Sequence, residues 1–108
     1  MREVKESDWK LFRKKLPEWQ EAYMGKLNAG YAALLAAPGA ASEKFWELES
    51  RIVRDKRKVG VVAEMRRSQM VFNLAALLRD GAITPSDLEG FSDELKAILF
   101  GNVFDLTK

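Results

Sequence analysis

Seven cations fall within 17 residues of this chain: Arg51, Arg54, Lys56, Arg57, Lys58, Arg66 and Arg67, opposed by Asp55 and Glu64. Cationic groups at that density can neutralise phosphates, and a cluster spread over a helical hairpin could grip a nucleic-acid backbone as helix-turn-helix readers do. The candidate contacts on that face are Arg51, Arg54, Arg57, Lys58, Arg66 and Arg67. The competing reading is a solvated face whose charges pair within a helix, Glu47 with Arg51 and Asp55 with Lys58. The second reading is preferred. A pI of 9.0 reflects a net charge of only +2, so overall charge gives the nucleic-acid reading no extra support.

Three shorter patterns hint at other chemistry, and each has an ordinary explanation. Ser7-Asp8-Trp9-Lys10 has the S-x-x-K spacing in which a lysine activates a serine, but that chemistry needs an oxyanion hole and further motifs in a larger chain. Ser7 has simpler work as a helix N-cap. Trp9, Phe12, Trp19 and Tyr23 beside Arg13-Lys14-Lys15 have the composition of a base-stacking platform, yet their spacing is that of a buried helix face. Leu78 to Asp87 has the outline of a calcium loop without its alternating oxygen ligands or its closing Glu. Cysteine and histidine are both absent, which removes thiolate and imidazole chemistry together. No catalytic, cofactor-binding or metal-ligating residue is therefore expected, and the chain reads as a non-enzyme.

The stretch that must position everything else is Gln69 to Leu78, which is uncharged and has Gln69 and Asn73 as its clearly polar residues. At 100° per residue its apolar side chains point almost all the way round a helix. It is predicted to be the core of a third helix running from about Val61 to Asp80 and stopped by Gly81. Ahead of it, Ser7 is expected to cap a long first helix whose Trp9, Phe12, Leu16, Trp19, Tyr23, Leu27 and Leu34 share a face. Pro17 keeps the phase of that pattern, so it either kinks the helix, the favoured outcome, or starts a second one. Pro38-Gly39 ends the element. Ser42 should cap the second helix, with Phe45, Leu48, Ile52 and Val59 facing inward, Trp46 and Val53 on a flank, and Gly60 closing it. Helices two and three are predicted to pair as an αα-hairpin. Thr84-Pro85-Ser86-Asp87 starts a short helix that Gly90 ends. Ser92-Asp93-Glu94 then starts another, with Leu95, Ile98 and Leu99 as its apolar face, up to Gly101.

The order Trp9, Phe12, Pro17-Glu18-Trp19-Gln20 and Tyr23-Met24, then Phe45-Trp46-Glu47-Leu48, Glu64-Met65-Arg66-Arg67-Ser68, Asp87-Leu88 and Phe91-Ser92-Asp93-Glu94-Leu95-Lys96, resembles a family of small all-helical bacterial proteins of unknown function. Many of its members carry the label "multidrug transporter". The resemblance implies a small helical fold and transfers no activity, cofactor or catalytic residue. Leu77 to Leu99 is also similar to the short helical SHOCT module, which implies an oligomerising or accessory role. The longest apolar run, Tyr31 to Ala37, is far short of the ~20 residues of a membrane helix. With no signal-peptide pattern at Met1 to Glu6, the expectation is a soluble cytoplasmic protein without membrane contact.

The expected class is all-α, one domain over residues 1–108: a small bundle with a long kinked first helix, an αα-hairpin and one or two short C-terminal helices. The expected role is a non-enzymatic protein–protein interaction or assembly module; the alternative is a nucleic-acid-binding accessory using residues 51–67. Charge is uneven, with 16 basic and 10 acidic residues in 1–79 against 2 and 6 in 80–108. That split suits complementary faces within or between subunits, or a basic binding surface. A helix apolar on nearly all sides needs cover on all sides. The chain is therefore expected to form a homodimer through Met70, Asn73 and Leu77, with Asn73 hydrogen-bonding across a two-fold axis. In the alternative, the tail with Val103, Phe104 and Leu106 folds over that face and leaves a monomer.

Overall fold

In a computed structural model of the chain, residues 4–107 are described, with side chains up to Gly101. Four α-helices follow one another: α1, Glu6–Ala36; α2, Ala41–Asp55; α3, Met70–Arg79; and α4, Asp93–Thr107. Short 3-10 turns at Arg67–Gln69 and Pro85–Leu88 lead into α3 and towards α4. Among the described residues there is no strand, and the architecture is a small all-α bundle.

The first helix is a single element of 31 residues that passes through Pro17, so no second helix starts there. Pro17 is on the exposed side. Ser7 is not the cap: Lys5 holds that position without a side-chain hydrogen bond, and Ser7 is an exposed residue of the first turn. The inner stripe is buried from Phe12 through Leu16 and Trp19 to Tyr23, after which burial stops although the helix continues for 13 more residues.

That buried stripe meets α3, the Pro85–Leu88 turn and the start of α4. Phe12, Met70, Leu74, Leu77 and Leu88 are fully enclosed, with Leu16, Trp19, Ile83, Phe91 and Leu95 around them. Each such side chain contributes about 1.5–3 kcal/mol of apolar burial. The Trp19 and Phe91 rings stack with centroids 6.3 Å apart, joining α1 to the chain just before α4. The α3 stop is a Schellman motif: Gly81, at φ 74°, lets Ala82 N–H reach Leu77 O at 2.9 Å and its own N–H reach Leu78 O at 3.2 Å. Asp8, buried in the first turn of α1, accepts hydrogen bonds from the backbone N–H of Ser92 at 2.9 Å and from its hydroxyl at 2.6 Å. Ser92 Oγ in turn accepts from Leu95 N–H, so a carboxylate on α1 fixes the N-cap of α4.

Several predicted boundaries move. Ala40, not Ser42, holds the α2 cap position, and α2 ends at Asp55 instead of Val59. The third helix begins at Met70, nine residues later than its pattern suggested. Between them Val59 is buried on α1, where Gln20 Nε2 donates to its carbonyl at 2.9 Å. Gly60 is pressed so close to the Tyr23 ring that a Cβ would overlap it. Val59, Val61 and Val62 are weak helix formers around a glycine, and packing on α1 decides their path. The hairpin partner of α2 is α1 and not α3. Finally, α4 continues through Gly101 to Thr107.

Candidate interaction surface

The second half of α1 and the whole of α2 form an arm that extends from the globular end. The molecule measures 51 × 34 × 23 Å, and its radius of gyration is 16.8 Å, against about 13 Å for a compact chain of 100 residues. The arm is built unlike the rest. From Met24 to Lys58 the single buried residue is Asp55. The first sixteen residues of α1, Glu6 to Glu21, carry eight charges; the remaining fifteen, Ala22 to Ala36, carry one, Lys26. That uncharged half is nevertheless largely exposed.

On α2 the apolar residues are also uncovered. Phe45, Leu48 and Ile52, predicted to face inward, contribute nothing to the core: Phe45 is 61% exposed, Ile52 41% and Leu48 half-buried. Trp46, on the flank, is 63% exposed and meets the Phe45 ring edge-on at 4.9 Å. The α1 residues along this side, Met24, Leu27, Tyr31 and Leu35, line the seam without enclosing these rings. The seam between the two helices is consequently open. One cleft of about 280 Å³ lies between Met24, Leu27 and Tyr31 on α1 and Ile52 and Lys56 on and beyond α2. A shallower one at the tip is bounded by Leu35, Ala41, Lys44, Phe45 and Leu48.

A polar clamp holds the arm closed at its base. Tyr31 donates its phenolic proton to Asp55 Oδ2 at 2.6 Å, and Arg54 Nε lies 3.2 Å from Oδ1. The Tyr31 bond, followed by the Arg54 bond and charge, holds the Asp55 carboxyl below its usual range, against the opposing effect of burial. Tyr31 is pushed up to about 12, first by burial and then by the bond to Asp55 and its charge. Tyr23 is raised as well, chiefly by burial. Nearby, Asp80 Oδ1 faces Lys58 Nζ at 3.5 Å and Arg79 Nε at 3.3 Å, while its Oδ2 is buried with no hydrogen-bond partner among the described residues. These groups fasten helices together; no nucleophile with an adjacent base emerges from them.

Comparison with protein-family profiles, curated proteins and solved structures gives no match. The surface has to be judged on its own geometry.

The cations of 51–67 do not gather into one face. Arg51 pairs with Glu47 at 3.0 Å, Arg54 with Asp55, Lys58 with Asp80, Arg66 with Glu64, and Arg67 with Glu6. Arg57 alone of the six candidates has no ion-pair partner among the described residues. Arg67 also lies over the Trp9 ring, near the start of α1, whereas Arg54 is beside Tyr31 through Asp55. Trp9 and Tyr31 are 22 residues apart on α1, about 33 Å along its axis.

Met70, Asn73 and Leu77, predicted to face a second copy, are buried by the chain itself: Met70 and Leu77 completely, Asn73 almost so. Asn73 Nδ2 donates to Glu64 O at 3.0 Å, tying the segment before α3 back onto it, instead of bonding across an axis. The uncovered side of α3 is marked by Phe72 and Ala75. The side chains of Val103, Phe104 and Leu106 lie outside the described residues. Among the described residues no cluster of three or more carboxylates is arranged to hold a metal ion, and no helix is long and apolar enough to cross a membrane.

Residue types alone misplaced the surface because periodicity reports that a stripe is apolar, not whether anything covers it. A signal was nevertheless present. Fifteen nearly uncharged residues on a helix longer than the domain's other elements leave few candidates to cover them.

Proposed function

We propose that this protein is a non-enzymatic interaction module, a folded globular end that presents a two-helix arm to a protein partner. The observation that carries this reading is the Phe45–Trp46 pair, two large rings more than half exposed on a helix that buries none of its apolar residues in the core. Aromatic rings gathered beside an open apolar seam have the composition of an interface centre, and the ion-paired residues Glu47 and Arg51 that border them have that of a rim. The nucleic-acid reading draws less support, since five of its six cations already have carboxylate partners and the set is strung along the molecule.

A photo-crosslinking amino acid placed at Trp46, compared with one at Glu21 on the exposed polar side of α1, tests the proposal in growing cells. Adducts of defined mass are expected at position 46 and not at position 21. Equal labelling at both positions, or none at either, would show that the arm has no partner.

A further inference from the structure

The open seam and the exposed Phe45 ring lie along the same stripe of α2. Phe45, Ile52 and Lys56 fall within about 40° of one another around α2. Phe45 projects from that stripe near one end. Ile52, Asp55 and Lys56 border the 280 Å³ cleft near the other. A projection and a recess displaced along one axis, on one face, are self-complementary when the second copy runs antiparallel. Their separation is about ten residues, or roughly 15 Å. A cavity of about 150 Å³ accommodates a benzene ring, so the cleft has room for a phenylalanine side chain.

Charge follows the same arrangement. The first part of α2 is mainly acidic, with Glu43, Glu47 and Glu49 against Lys44; its end is mainly basic, with Arg51 and Arg54 against Asp55, followed by Lys56, Arg57 and Lys58 just beyond. Within one helix that order suits the dipole. Between two helices it discriminates: parallel packing sets like charges side by side, and antiparallel packing sets Glu49, which has no ion-pair partner among the described residues, beside Lys56 and Arg57 of the partner. Glu49 and Lys56 both border the apolar stripe and are both exposed. The nearly uncharged half of α1 completes the case. Two hairpins placed seam to seam give four helices around a shared apolar interior, which a single hairpin cannot enclose.

We infer that the partner of the arm is a second copy of this chain, packed antiparallel about a two-fold axis near residues 50–52, with the Phe45 ring of each copy in the cleft of the other. This rests on the interaction reading above and names the partner.

Sedimentation equilibrium of the purified chain, from low micromolar to several hundred micromolar, is the first measurement. The mass is expected to rise from 12.3 kDa towards twice that value. Phe45→Glu should weaken the association about 100-fold or more while leaving the helical circular dichroism intact, because the ring is mostly exposed and lies outside the core of its own chain. A complementary pair removes any ambiguity over folding. Glu49→Lys and Lys56→Glu should each weaken self-association by opposing like charges. Mixed together they should re-associate, since each contact then unites opposite charges.

Three results overturn the inference: a wild-type mass of 12.3 kDa throughout, a dimer undisturbed by Phe45→Glu, or charge variants that fail to rescue one another. A monomeric chain whose arm binds anionic phospholipid vesicles would also overturn it, assigning the surface to a membrane. A monomer that still gives position-46 adducts with a different protein refutes the second copy and leaves the interaction reading standing. Loss of those adducts altogether refutes both.

Discussion

The two halves of α1 follow opposite rules. Up to Glu21 the helix alternates an enclosed stripe of Phe12, Leu16 and Trp19 with a face of seven charges, the eighth, Asp8, being buried against Ser92. From Ala22 onward it has almost no charge and, past Tyr23, buries nothing. Water-facing helices of monomeric proteins are normally polar outside. The first half obeys that rule and the second does not, although they are one continuous element. A helix can therefore be built in two ways in series: the first half is covered by its own chain, and the second is left uncovered by it.

The sharpest way to break this contrast is to remove one ring from each region. Phe12→Ala, in the core, should cost about 3–5 kcal/mol in urea unfolding. Phe45→Ala, measured where the chain is monomeric, should fall within about 0.5 kcal/mol of wild type. Similar costs at both sites would mean that the arm is internally packed after all. Next in size is the joint between α1 and α4. Asp8→Ala leaves the Ser92 N–H without its acceptor and disturbs the cap that Leu95 relies on. The expected loss is about 2 kcal/mol, confined to the globular end, so exchange of α4 amides should quicken while that of α2 stays unchanged.

The globular end was also the part that the sequence made legible. The stripe from Phe12 to Trp19 and the enclosed residues Leu74 and Leu77 are where periodicity puts them, and Gly81 stops α3 through the left-handed conformation that glycine adopts readily. Ser92 restarts the chain as expected, but Asp8 bonding it from 84 residues away left no local trace. The arm was misread for a related reason. Phe45, Leu48 and Ile52 have helical spacing, and spacing cannot distinguish a face covered by its own chain from one left open. The stretch from Val59 to Glu64 failed differently: its helical period is overridden by Val59 packing on α1 and Gly60 fitting against Tyr23. The candidate self-association residues were apolar enough to be an interface and were consumed by the core instead.

The clamp at the base of the arm offers a smaller and pH-dependent test. Removing the Tyr31 hydroxyl in Tyr31→Phe should cost about 1–2 kcal/mol and loosen α2 more than α3. Its pH profile has two shoulders. Asp55 is lowered in the fold, so its contribution is present above the unfolded value of 3.8 and is lost as pH falls below it. Tyr31 is raised to about 12, so its contribution is present below the unfolded value of 10.0 and is lost as pH climbs from there towards 12. Protection of α2 amides, taken relative to their intrinsic exchange rates, should fall on both sides of that plateau in wild type. In Tyr31→Phe the alkaline shoulder attributable to this residue should vanish. Its persistence at full size would shift responsibility to Tyr23, which is raised too.

The smallest effect examines the uncharged half of α1 directly. Gly25 lies inside the helix with nothing within 4 Å of where a Cβ would stand, in contrast to Gly60, where the Tyr23 ring fills that space. In a helix interior glycine costs roughly 0.5–1 kcal/mol relative to alanine. Gly25→Ala should therefore stabilise the monomer by about that amount, because the methyl meets no atom of its own chain. A measured loss at low concentration would mean that the arm folds back on itself there and the contrast between the halves is false. A gain at low concentration that turns into weaker association at high concentration would be more informative. The added methyl would then be colliding with a neighbour that is absent from the monomer, and Gly25 would lie on the covered side of the arm. A gain that is independent of concentration puts Gly25 on the outer side and confines the contact to α2 and the seam.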